Sequence, residues 1–260
     1  MKLIQHISIL FLTTLLFACA PSRIVRPLKK GEDRWGASLG GPLIKFGGAV
    51  IPVPFTTISY ARASSDNLTW FTGIHTTSAL YNNFQSEIGF CYNLIPQKRI
   101  KFFGDSVLFG LSINPAANLA VHVNGQRDII TTKYTINNPQ STFFSNLKLW
   151  PQLDVNAYFS YGKKNQNFIY LGLCNWFELN SPYIYNPLKN PNFVYFSPQL
   201  GNTWNDKKGI WSATLEVKYL APNVSNQNKV VDYVRPGKTG AIGVFFGITK
   251  KIYHPVYDDD

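Results

Sequence analysis

From Arg34 onward, apolar and polar residues alternate with a period of two, and Gly, Asn, Pro, Ser and Lys interrupt the alternation. No long stretch keeps a helical period, so the pattern predicts an all-β chain. The clearest strand runs from Ile210 to Leu220. Trp211, Ala213, Leu215, Val217 and Tyr219 take one face, and Ser212, Thr214, Glu216 and Lys218 the other. An aromatic residue closes each end of the apolar face. The distance from Trp211 to Tyr219, at about 3.3 Å per residue and a tilt near 40°, is roughly 20 Å, close to the apolar band between the aromatic girdles of a membrane barrel.

Other segments repeat the design. Leu153, Val155, Ala157, Phe159 and Tyr161 alternate with Gln152, Asp154, Asn156, Tyr158 and Ser160. Ile242, Val244, Phe246 and Ile248 alternate with small Ala241, Gly243 and Gly247, and Phe84, Ile88, Phe90 and Tyr92 oppose Gln85, Glu87, Gly89 and Cys91. Further strands are expected near Arg34 to Phe46, Phe55 to Ala63, Leu68 to Ser78, Asp105 to His122, Asn167 to Leu179 and Phe193 to Trp204. The count is ten, with eight or twelve as the neighbouring even numbers. The expected fold is an antiparallel up-and-down transmembrane β-barrel over 34–251, apolar outside and polar inside.

Connection lengths support this. Ser64 to Asn67, Gly162 to Gln166 and Asn205 to Gly209 are short, whereas Val123 to Pro151, Asn180 to Asn192 and Ala221 to Gly237 are long. Short turns at one end and long loops at the other are the habit of outer-membrane barrels, with the short turns periplasmic. An even strand number puts both ends of the barrel there.

Composition sharpens the reading. Charged residues are 15% of the chain, against about 25% in soluble domains; a surface turned to lipid needs few charges. The net charge of +11 does not point to nucleic acid, because the basic residues form small clusters instead of one stripe. Arg23, Arg26, Lys29 and Lys30 precede the barrel, and Lys98, Arg99 and Lys101, Lys163-Lys164, Lys207-Lys208 and Lys250-Lys251 punctuate it. In an up-and-down barrel these fall at one end, where anionic head groups attract each cation by about 1 kcal/mol. The other reading is that lysines solubilise turns.

The first residues carry an address. Lys2 precedes an apolar run from Ile7 to Phe17 that is too short to span a bilayer. Leu16-Phe17-Ala18-Cys19 resembles the bacterial lipoprotein cleavage signal. The resemblance implies removal of 1–18, a diacylglyceryl and acyl lipid on Cys19, and a lipidated basic tether over 19–33. Ala20 in place of the aspartate of inner-membrane retention implies the outer membrane, with the amino terminus on the periplasmic side. Together with the barrel pattern, the chain resembles Gram-negative outer-membrane β-barrel proteins that also carry a lipoprotein signal. It departs from the usual barrel ending, because Lys250 to Asp260 continue past the last strand and 252–260 form an acidic tail.

Candidate chemistry is sparse. His75, His122 and His254 have no second ligand at metal-binding spacing, so no metal and no cofactor is expected. His75 is placed on the luminal face with Thr69, Phe71, Gly73 and Thr77, and Ser78, three residues on, falls on the other face of a strand, which breaks a local Ser–His arrangement. Cys91 and Cys174 lie within strands, read as packed or luminal thiols, with a disulfide between them as the alternative. The expected luminal network is Arg62, Glu87, Asp154, Glu178, Glu216 and Lys218, filling a narrow barrel with paired charges or lining an ion path. The expected lipid-facing and girdle residues are Trp211, Leu215, Val217, Tyr219, Phe159, Tyr161, Val244 and Phe246.

These readings converge on a non-enzymatic outer-membrane barrel lipoprotein, structural or accessory to an envelope complex. Outer-membrane lipids are the first partners. Other envelope proteins would dock on loops 124–150, 180–192 and 221–237, which carry Tyr183, Tyr185 and Tyr233 and could instead hold a ligand by stacking. The alternatives are a lipid-anchored periplasmic soluble barrel around an apolar ligand, with the same alternation turned inside out, and an enzyme acting on envelope lipid or polysaccharide.

Overall fold

The structure is a computed structural model that describes residues 23–80, 83–102, 105–122, 147–162, 165–177, 194–223, 233–237 and 239–252. The described strands are β1 (Asp33–Phe46), β2 (Ala49–Pro52), β3 (Phe55–Ser65), β4 (Leu68–His75), β5 (Asn83–Phe102), β6 (Asp105–His122), β7 (Leu147–Tyr161), β8 (Asn167–Phe177), β9 (Val194–Asn205), β10 (Trp211–Leu220) and β11 (Ala241–Ile252), with one short helix, α1 (Thr76–Ala79), after β4. Each strand from β3 onward pairs antiparallel with the next, and β11 returns to β1 in a register from Asp33↔Ile252 to Pro42↔Gly243. β2 pairs with β1 alone and forms a hairpin flap, so ten strands close the barrel. Closure leaves no sheet edge along the shared height of the wall.

Several boundaries differ from the sequence expectation. β5 does not stop near Tyr92 but continues to Phe102, passing two irregularities, at Asn93/Ile95 and Ile95/Lys98. Lys98, Arg99 and Lys101 therefore stand on a strand, not in a turn. Pro96 and the basic residues hid this extension, since they read as strand breakers. β4 ends at His75, and Ser78 belongs to α1, where its hydroxyl donates to Gln85 Oε1 at 2.9 Å. β7 begins at Leu147, so the loop expected over 124–150 is shorter by the four residues that pair with Asn118 to Val121.

The exterior follows the period-two rule. Leu215, Val217, Phe246, Tyr161 and Trp211 are all exposed large hydrophobics, and Phe159, Val244 and Tyr219 on the same faces are half-buried by their neighbours. Trp35, Tyr60, Trp70, Tyr92, Tyr161, Trp204 and Trp211 gather near the short-turn end as one aromatic girdle, with the Trp35 and Tyr60 rings 5.3 Å apart. Lys207, Lys208, Lys250 and Lys251 occur at this end as well, and Lys250 Nζ lies 5.2 Å from the centre of the Trp211 ring. Lys163 and Lys164 fall outside the described residues.

The core is the barrel interior. Its large side chains lie flat across glycines of the neighbouring strand: Tyr158 pairs with Gly110, and Tyr170 with Gly201. A Cβ on Gly110 would sit 2.3 Å from Tyr158 Cζ, and one on Gly201 2.2 Å from Tyr170 Cζ. The missing side chain is what lets each ring cover its partner's backbone.

Candidate functional site

The interior of the barrel holds a polar wall around a strand-free guest. Buried Ser112, Asn114, Asn118, Gln152, Asp154, Asn156, Glu87, Gln199, Glu216 and Lys218 all point inward. An apolar interior, expected of a soluble barrel around an apolar ligand, is not what the described side chains form.

The guest is the chain's own amino-terminal segment. Residues 23–28 take no part in any strand ladder, yet they lie inside the barrel and climb from the short-turn rim toward its middle. At the rim, Gly31 N–H donates to the Ala63 carbonyl and Lys30 N–H to Asp66 Oδ1. One step higher, Leu28 N–H donates to Thr69 Oγ1 at 2.8 Å. Higher still, the Val25 carbonyl accepts from Ser112 Oγ and Cys91 Sγ, and the Ile24 carbonyl accepts from Asn114 Nδ2. Leu28 thus meets β4, while Val25, Ile24 and Arg23 meet the inward-facing Ser112, Asn114 and Asn118 of β6 in turn.

Apolar contacts fit the same path. Val25 is 4% exposed and packs among Tyr158, Phe168 and Tyr170, while Ile24 and Leu28 pack against Ala61, Phe71 and Ala116. Pro27 is buried without an N–H that would need a partner.

Two arginines anchor the segment. Arg23 is held by Glu87, with Nε donating to Oε2 at 2.9 Å, and by Asp154, with Nη1 and Oδ2 3.5 Å apart; its side chain is 4% exposed. Its guanidinium also donates to Asn118 Oδ1 and lies 5.6 Å from the centre of the Phe71 ring. Arg26 donates to Ser160 Oγ and to the carbonyls of Asn165 and Gln166, and its guanidinium sits 4.6 Å above the Phe168 ring. The expectation that these two cations meet lipid head groups is corrected: the barrel wall supplies two carboxylates to Arg23, and a hydroxyl, two carbonyls and an aromatic face to Arg26.

A second cluster lies across the lumen. Lys218 Nζ is 3.0 Å from Glu216 Oε1, Tyr170 Oη donates to Glu216 Oε2 at 2.6 Å, and Lys218 faces the Phe245 ring at 5.2 Å. Among the described residues above the rim, the wall therefore contributes three carboxylates, Glu87, Asp154 and Glu216, against one cation, Lys218. Arg23 faces both Glu87 and Asp154, and Lys218 faces Glu216.

Of the sequence-derived network, Glu87, Asp154, Glu216 and Lys218 are 4, 2, 1 and 2% exposed inside the barrel. Arg62 is a correction. Its side chain is 66% exposed on the outside of β3, where Nε faces Asp33 Oδ1 at 3.8 Å, because the inward parity of that strand falls on Thr57, Ala61 and Ala63. Glu178 lies outside the described residues. His75 is buried with Nδ1 3.1 Å from Thr57 Oγ1. Cys91 and Cys174 are both free and buried, which replaces the alternative of a disulfide; Cys174 Sγ accepts from Gln152 Nε2 and Trp176 Nε1. No group of three or more potential metal ligands occurs among the described residues.

The long-loop mouth is partly described. Tyr233 is 6% exposed and packs with Ile44, Val53 and Ala241, bridging to Ile44 on the β1–β2 flap. It is a packing residue, which removes it from the residues that could hold a ligand by stacking. Loop residues 124–146 and 180–192, with Tyr183 and Tyr185, and tail residues 253–260 fall outside the described residues.

A scan against protein-family models finds no match, and no curated protein matches the sequence. Among solved structures, the chain is similar to the outer membrane protein OprG from Pseudomonas aeruginosa, with 10% identity over 89% of this chain and 100% of that one and a TM-score of 0.31. It is also similar to the translocator domain of autotransporter NalP from Neisseria meningitidis, with 10% identity over 88% and 91% and a TM-score of 0.32. For outer membrane phospholipase A from Escherichia coli, the identity is 12% over 86% and 93%, with a TM-score of 0.31. All are outer-membrane barrels. At these identities and scores the likeness carries no argument about activity, and the architecture of an outer-membrane barrel rests here on the closed sheet, its apolar exterior and its polar interior.

Proposed function

We propose that the chain is a non-enzymatic outer-membrane β-barrel lipoprotein, a structural or accessory subunit of an envelope complex, whose lumen is closed by its own amino-terminal segment. The observation that carries this is the pairing of Arg23 with Glu87 and Asp154 inside a wall whose outer face is apolar. A polar, charge-balanced interior behind a lipid-facing exterior suits a membrane barrel and no soluble one. A filled lumen favours a structural or accessory role over open transport.

In this reading the short-turn end, where Asp33 and Ile252 pair, faces the periplasm. Cys19 carries the lipid. It lies four residues before Arg23, a span of at most about 14 Å, so the anchor and the seated segment constrain one another.

The test is to isolate outer membranes, wash them with carbonate and urea, and run the protein in detergent with and without boiling. Retention with a faster-migrating unboiled band supports an integral closed barrel. Release by the wash, or solubility of a Cys19→Ala variant without heat-modifiable migration, refutes it.

A further inference from the structure

The hold on residues 23–28 is unlike the hold on any strand of the wall. Among the described residues, no ladder pairs them with a neighbour, and the hydrogen bonds of their backbone are made with side chains: Asn114 donates to Ile24, Ser112 and Cys91 donate to Val25, and Leu28 donates to Thr69. Removing the segment would leave the ten-strand ladder unbroken. It would also leave Glu87 and Asp154 buried without their cation, and Ser112, Asn114 and Thr69 without partners. Those groups together describe a site for something with a guanidinium and an extended backbone.

We propose, building on the outer-membrane barrel reading, that the lumen is a binding site for an extended arginine-bearing peptide, and that residues 23–28 are a covalently attached copy of that ligand. The recognised pattern is Arg-aliphatic-aliphatic-Arg-Pro-aliphatic, as in Arg23-Ile24-Val25-Arg26-Pro27-Leu28. Glu87, Asp154 and Asn118 read the first arginine, the planar fork of which meets both carboxylates. Ser160, the carbonyls of Asn165 and Gln166 and the Phe168 face read the second. Tyr158, Phe168 and Tyr170 take the aliphatic residue between them. A segment of an envelope protein with this pattern would enter from the short-turn mouth and compete with the tethered copy. The excess of two wall carboxylates selects basic chains and rejects acidic ones.

The tethered copy acts at an effective concentration of about millimolar, so it masks the site from weaker competitors. The experiment therefore uses two full-length proteins in detergent micelles, the unchanged chain and the Arg23→Ala/Arg26→Ala variant. The probe is a fluorescein-labelled peptide of residues 22–31, and its anisotropy reports binding. The variant should bind the probe at least about tenfold more tightly than the unchanged chain. A probe with both arginines replaced by alanine should lose about tenfold or more, as should the unaltered probe when Glu87→Gln or Ser112→Ala is added to the variant. Equal binding of the arginine and alanine probes, or no binding to a variant that still migrates as a closed barrel, overturns the peptide site. Loss of heat-modifiable migration in the unchanged chain overturns the barrel reading instead, so the two failures are distinct.

Discussion

Arg23 and Glu87 are 64 residues apart in the sequence and form one buried ion pair inside the barrel, joining the segment before β1 to the inner face of β5. Removing one partner of a buried pair costs about 3–5 kcal/mol where the other charge is left unpaired. Arg23→Ala strands two carboxylates, Glu87 and Asp154, while Glu87→Gln leaves Arg23 with Asp154 and Asn118. Arg23→Ala is therefore expected to loosen the segment more. Hydrogen exchange at Val25 and Leu28 should rise in Arg23→Ala and less so in Glu87→Gln, with the barrel amides of β6 and β7 unchanged in both.

Tyr158 depends on a glycine. Gly110→Val would drive the Tyr158 ring off its partner, removing the 2.8 Å bond from Tyr158 Oη to Asn93 Oδ1 and the shelf under Val25. The expected loss is about 1–3 kcal/mol in urea unfolding from lipid vesicles. Tyr158→Phe keeps the ring and loses only the hydrogen bond, so its unfolding free energy should fall by about 1 kcal/mol.

The outer face makes a separate prediction. Leu215 is 42% exposed between Trp211 and Tyr219, and an arginine there meets hydrocarbon at a cost of about 2–4 kcal/mol near the midplane. Leu215→Arg should lower the yield of heat-modifiable barrel, and Leu215→Phe should not.

The legible part of this fold was the part that period two encodes. Leu215 and Glu216 declare their faces without help, and the same holds for Asp154 within β7. Arg62 was misplaced because the short residues around it, Ala61, Ala63 and Ser64, leave the parity of β3 undetermined. Only pairing with β1 and β4 sets it. The extension of β5 was hidden by Pro96 and by two irregularities that break the alternation.

The seated segment was illegible for a different reason. Arg23, Arg26, Lys29 and Lys30 look like one basic tether, yet the first two enter the barrel and the second two stay exposed at its rim. A signal was present. Ile24, Val25 and Leu28 are apolar residues with no strand to join, and the polar faces of β5 to β8 carry more carboxylate than the luminal lysine answers. Neither alone names a partner; the two together do.

The most direct test of the account is a cross-link between the segment and the wall. The 2.8 Å bond from Leu28 N–H to Thr69 Oγ1 brings these residues within the roughly 4.4–6.8 Å Cα range of a disulfide. In a Leu28→Cys/Thr69→Cys variant assembled in outer membranes and mildly oxidised, non-reducing peptide mapping should recover the fragment containing residue 28 joined to that containing residue 69. A heat-modifiable barrel in which those fragments stay separate, or in which residue 28 joins no luminal position, would contradict it.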